Sequence, residues 1–263
     1  MDVGKALAIS VVGICASLGL IGMVDMADFK PVQTHAEKEA NHTIPALIGA
    51  SYGYRAIPEE FIKRAEDLDD PQLYYFIGEI LEQGLHGVKP NEEDALVWYE
   101  RAAQKNHKEA IYKLGLSASK LNFFGAQEEA FNLFKRSADM GYAPAQLEYA
   151  NMLLEGFVRD ANPGKAKHYY ELAANQGLAD AELNLGLMYQ KGISVKADPT
   201  TAMSYYNSAA IKGQTQAQFN LGVAYYYGYG VEKDLWASKE WLNKAFLAGN
   251  KDALVIMNKI QVL

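Results

Sequence analysis

A chain of 263 residues with a formal charge of −7 and no basic stripe lacks the means to neutralise phosphates, which argues against a nucleic-acid partner. Hydrophobic residues make up 49% of it, too many for a wholly disordered polymer. Cys15 is the only cysteine, so neither an intramolecular disulfide nor a thiolate metal cage is available.

The first stretch, residues 1–28, reads as a signal peptide or an N-terminal transmembrane anchor. An uncharged apolar run from Ala6 to Met23 follows Lys5 and precedes Asp25 and Asp28, which favours an orientation with the N-terminus inside and the rest outside. Ser17-Leu18-Gly19 offers a cleavage site, but an uncleaved anchor is the preferred reading. Ile14 before Cys15 argues against lipidation. Residues 29–54 hold no sustained period, are broken by Pro31 and Pro45, and read as a linker. His35 and His42, near Glu37 and Glu39, have no second cluster of ligands elsewhere, so no metal is expected there.

Residues 55–263 carry the organising pattern. Ala181-Glu182-Leu183-Asn184-Leu185-Gly186 lies over Ala217-Gln218-Phe219-Asn220-Leu221-Gly222 at an offset of 36. The register continues through Tyr189 over Tyr225, Gly192 over Gly228 and Gly213 over Gly249. A fixed period of this size signals a stacked repeat array. Gly78, Gly115, Ala150, Gly186 and Gly222 hold one repeat position, and Ala103, Ala138, Ala174 and Ala210 another. Each unit reads as two helices, which predicts an all-α solenoid of about five helix-turn-helix units. Second helices start at Asn162-Pro163 and Asp198-Pro199, an N-cap before a proline whose missing N–H costs nothing there. They stop at Gly141, Gly177, Gly213 and Gly249.

The array begins near Pro58, where Phe61, Ile62 and Ala65 lie over Trp98, Tyr99 and Ala102 at an offset of 37, as a half-repeat cap. Lys251 to Leu263 reads as a second half-repeat cap at the other end. A large side chain at Gly186 or Ala174 should overpack the stack.

These residues resemble the Sel-one-like repeat, a relative of the tetratricopeptide unit. The pattern is Ala-x-x-x-Leu-Gly-x-x-Tyr-x-x-Gly-x-Gly-Val, with its fullest copy at Ala217 to Tyr225, Gly228, Gly230 and Val231, then Trp241 and Gly249. The resemblance implies a right-handed α/α superhelix used as an adaptor for other proteins, in bacteria often in the periplasm or at the surface. Two departures stand out: Leu121 replaces a loop glycine in the second unit, and Ser238 replaces the alanine of Ala95, Ala130, Ala166 and Ala202. Some secreted relatives carry a disulfide in each repeat; those cysteines are absent here.

Catalytic strings are present but out of context. Ser117-Ala118-Ser119-Lys120 and Tyr149-Ala150-Asn151 spell motifs of penicillin-binding enzymes, yet both fall on repeat helices and no Lys-Thr-Gly strand accompanies them. His86, His107 and His168 are scattered over different units. Gly228-Tyr229-Gly230 is a repeat turn without the third glycine of a nucleotide loop. The expectation is a non-enzymatic scaffold without cofactor or metal, in the periplasm, anchored in the inner membrane by the N-terminal helix or released after cleavage. Its partner is a peptide segment or complex subunit held in a concave groove, with the membrane as a second contact if the N-terminal segment stays. An immunity protein against a secreted toxin, or a peptidoglycan-binding accessory module, are the alternatives. Tyr226, Tyr227 and Tyr229, and the turn aromatics Phe123 and Phe124, are the candidate partner-binding residues.

Overall fold

The structure is a computed structural model and describes residues 56–121, 123–156 and 158–261. The 1–28 segment, the 29–54 linker, Cys15, His35 and His42 lie outside the described residues. Among the described residues are twelve α-helices and one short 3-10 turn. The chain falls into two compact units, up to Val97 and from Trp98.

In the first unit α1 (Glu59–Leu68) and α2 (Pro71–Gln83) form a pair. Phe61 meets Phe76 edge to face at 6.2 Å, and Phe61 and Ala65 are buried with Leu73, Ile77 and Ile80. The buried face of α1 runs through Phe61, with Ile62 only partly covered. Pro58 is the N-cap of α1, one place before the first turn. Asp70 caps α2 by accepting from the Gln72 N–H at 2.8 Å. A 3-10 turn at Leu85–Gly87 leads to α3 (Glu92–Gln104), capped by Asn91. The division between the units falls inside α3.

The second unit stacks four helical hairpins and a last helix. The hairpins are α4 (Lys108–Ser119) with α5 (Phe124–Asp139), and α6 (Ala143–Glu155) with α7 (Pro163–Asn175). Then come α8 (Ala179–Lys191) with α9 (Pro199–Ile211), and α10 (Thr215–Tyr227) with α11 (Leu235–Leu247). The last is α12 (Asp252–Gln261). Each helix packs against the next in sequence, and the core is a succession of clusters of small residues and large knobs.

The repeat position Tyr99, Phe134, Tyr170, Tyr206 and Leu242 supplies those knobs, all 2% exposed or less. From α5, α9 and α11 they point at the glycine of the first helix in the same hairpin. A methyl group on Gly115 would lie 2.7 Å from the Phe134 ring, and one on Gly186 2.5 Å from the Tyr206 ring. A methyl on Gly222 would lie 2.7 Å from Leu242.

The turns repeat as faithfully. First helices end on Gly156, Gly192 and Gly228 in the left-handed conformation, and second helices are followed by Gly141, Gly177, Gly213 and Gly249 at positive φ. The cap residues Asn162, Asp198 and Asp234 each donate a backbone N–H to a carbonyl of the preceding helix, at 2.8, 2.9 and 3.0 Å. Where Leu121 replaces the glycine, the Gln127 side chain closes the end of α4 instead, donating to the carbonyls of Ser119 and Leu121 at 2.9 Å each. Ser238 is fully buried without penalty because its hydroxyl donates to the Gly222 carbonyl at 2.7 Å.

A further recurrent device joins one hairpin to the next. Gln146 and Gln218 are buried and donate their amides to the carbonyls of Ala138 and Ala210, at 3.3 and 3.2 Å. The third copy of this position is Glu182, whose Oε1 accepts from Ser208 at 2.7 Å and from Lys212 at 2.8 Å. Its other oxygen, Oε2, is buried without a hydrogen-bond partner.

Candidate functional site

The last two hairpins enclose an open-mouthed recess of about 250 Å³. Met203 of α9 and Val223 and Ala224 of α10 form its apolar walls, with Gln190 of α8 and Asn220 of α10 as amides. Tyr227, at the end of α10, and Tyr229, in the turn after it, complete the lining. Their exposures of 62% and 40% place them at the solvent side. Beside the recess the Tyr206 hydroxyl donates to Gln190 Oε1 at 2.6 Å, and Asn220 also hydrogen-bonds that hydroxyl. Burial raises the Tyr206 phenol well above its ordinary range, and the Asn220 bond only partly offsets this, so the hydroxyl stays protonated.

Six of the seven residues that line the recess differ from the preceding repeat. At an offset of 36, Leu154 becomes Gln190, Lys167 becomes Met203, Leu187 becomes Val223, Met188 becomes Ala224, Lys191 becomes Tyr227 and Ile193 becomes Tyr229. Met188 is 1% exposed and fills its place in the core, with Ile193 and Leu154 packed beside it. Ala224 leaves that volume empty.

The sequence-predicted residues separate. Tyr227 and Tyr229 line the recess. Tyr226 does not: its ring meets Tyr227 edge to face at 4.8 Å, and the Lys233 ammonium lies 5.8 Å from its centre. Phe123 and Phe124 are outside the recess, three hairpins earlier. They are the N-cap and first residue of α5, 60% and 53% exposed. Gln190, Met203, Asn220 and Ala224 were not singled out from the sequence, although comparing copies of the repeat would have exposed the Met188-to-Ala224 change.

The catalytic strings are absorbed by packing. Tyr149 is 1% exposed, its hydroxyl accepts from Lys165 at 3.0 Å, and its ring meets Phe131 and Tyr169 edge to face. Asn151 accepts from Tyr170 at 2.7 Å and from Asn184 at 3.3 Å. Ser119 donates to the Leu116 carbonyl, and Lys120 ends α4. His107 is the N-cap of α4, its Nδ1 accepting from the Ala110 N–H at 3.3 Å. His168 is exposed beside Tyr169, and His86 sits in the 3-10 turn at φ 56°. Among the described residues no group of three His, Cys, Asp or Glu side chains is placed to hold a metal ion.

Stacked helix pairs with repeating glycine–knob contacts define a helical-repeat protein. The Sel1 repeat family model matches residues 71–107, 108–142, 143–178, 179–214 and 215–250, and the chain belongs to that family. A Sel1 repeat protein from Oxalobacter formigenes is 30% identical, with 74% of this chain and 78% of that one covered and a TM-score of 0.68. The protein c5321, a protective antigen present in uropathogenic Escherichia coli strains, is 26% identical with a TM-score of 0.69. There the match covers 76% of this chain but 43% of c5321. Among curated proteins none matches. Sel1 repeats are typically non-catalytic scaffolds for protein–protein interaction, and members bind other proteins.

Proposed function

We propose that this protein is a non-enzymatic adaptor on the periplasmic or outer side of a bacterial membrane, serving as a subunit or assembly factor of an envelope complex. The observation that carries the adaptor reading is the repeat array with one unfilled, tyrosine-rimmed recess. The stack is held by buried knobs and paired caps, so its surface is already ordered before a partner arrives and little ordering entropy is lost on binding. Export is supported by the apolar run from Ala6 to Met23, with Lys5 before it and Asp25 and Asp28 after it. Among the described residues no helix is long and apolar enough to cross a membrane.

Crosslinking and affinity capture of the full-length chain from native membranes tests both parts, with mass spectrometry reading the partners and the N-terminus. A stoichiometric protein partner with residues 1–23 retained is the expected result. Absence of any partner removes the adaptor reading, and an N-terminus beginning after Ser17 removes the anchor.

A further inference from the structure

Resting on the adaptor reading, we infer that the recess between α8, α9 and α10 receives one tyrosine side chain of the partner protein. Size comes first. A cavity of about 150 Å³ holds a benzene ring, while drug-sized ligands need roughly 300 Å³ or more. At about 250 Å³ the recess has room for one aromatic side chain and is small for a drug-sized ligand.

Lining chemistry narrows the choice further. Met203, Val223 and Ala224 give apolar walls, with the Met203 thioether suited to an aromatic ring and the Tyr227 and Tyr229 rings available for edge contacts. No charged side chain lines the recess, which disfavours a carboxylate or an ammonium tip.

The two amides decide the polar end. Gln190 Oε1 is taken by the Tyr206 hydroxyl and Asn220 Oδ1 by the Gln216 amide at 2.8 Å. What Gln190 has left to offer is its N–H, and Asn220 keeps one N–H beyond the bond it gives the Tyr206 hydroxyl. A phenylalanine ring would leave these donors unpaired, and an indole presents only another donor. A phenolic oxygen accepts from them. The preceding repeat supplies the control, since Met188 fills the equivalent volume and Leu154 removes the amide there.

The test titrates the full-length chain with p-cresol, toluene and 3-methylindole, following the methyl resonances of Met203, Val223 and Ala224 by NMR. Saturable p-cresol binding is expected, with toluene and 3-methylindole about tenfold weaker for want of one hydrogen bond. Ala224→Met abolishes binding, and Gln190→Leu keeps binding but removes the preference for p-cresol over toluene. Both variants import the residue that the preceding repeat already holds, and Gln190→Leu reads the polar end even if Ala224→Met folds poorly. Equal affinity for toluene, or p-cresol binding indifferent to Ala224→Met, overturns the inference. Partner capture that is equal for wild type and a folded Ala224→Met chain also overturns it, while leaving the adaptor reading intact. No capture by the wild type overturns both together.

Discussion

Gly186 is one of the closest approaches in the second unit. Its missing side chain admits the edge of Tyr206, a ring with no exposed surface and no room to retreat. Gly186→Leu gains about 1 kcal/mol of helix propensity but loses ~3 kcal/mol to overpacking, so packing wins. The expected result is a melting temperature several degrees lower, and an unchanged one would contradict the account. Ala150 shows that a methyl group is tolerated at this repeat position in another hairpin, so the knob's placement sets the limit. Gly230 is constrained differently: at φ 70° a methyl group there would meet the Pro199 backbone at 2.5 Å. The role of Gly186 was legible in the sequence because it recurs in phase. That of Ala224 was not, because an alanine among core positions carries no mark of its own. Only the methionine one repeat earlier shows what is missing.

Helix boundaries were legible for a chemical reason. Asn162, Asp198 and Asp234 satisfy backbone donors that nothing else reaches, and the glycines after the second helices adopt φ values that other residues avoid. The contacts between hairpins were not legible, since Gln146 and Gln218 recur at the repeat period but a polar side chain on a helix reads as a solvent-facing one. Glu182 shows what that device does when its amide is lost. Replacing it by glutamine supplies an N–H toward the Ala174 carbonyl, as Gln146 and Gln218 do in their own copies. Relieving a buried unpaired oxygen is worth roughly 1–3 kcal/mol, against ~0–1 kcal/mol for the partly exposed Lys212 pair. Glu182→Gln is therefore expected to raise stability by about 1 kcal/mol in urea unfolding. A destabilised variant would show that the ion pair matters more than the orphan oxygen. At the α4–α5 turn the sequence showed the loss of a glycine but not its remedy, the Gln127 side chain from the following helix.

At the scale of the whole molecule four wholly or partly buried tyrosines become a stability term. Burial, with Glu148 and Tyr142 adding to it, pushes the Tyr112 phenol up to about 12. Burial also raises Tyr169, aided by its bond to Asp139, and raises Tyr170 and Tyr206. An unfolded tyrosine loses its proton near 10, while these hold theirs in the fold. Their contribution is complete below about pH 10 and is lost as the pH rises through the folded values, so alkali favours the unfolded chain. The share of tyrosinate absorbance that belongs to these buried phenols is expected to rise in a cooperative step together with loss of helical circular dichroism. Full tyrosine ionisation with the helices intact would contradict the burial of these phenols. Repeat number and helix content were legible from the period alone; the recess was not, because its lining differs at six positions between copies and the period reports what they share.

The most direct test of the adaptor account is hydrogen exchange on the full-length chain, free and bound to its captured partner. Added protection is predicted at the C-terminal turns of α8 and α10 and through Tyr227 to Gly230, with the buried faces of α9 and α11 unchanged. Protection confined to the outer surfaces of α5, α7, α9 and α11 would place the partner on the opposite face and contradict the central claim.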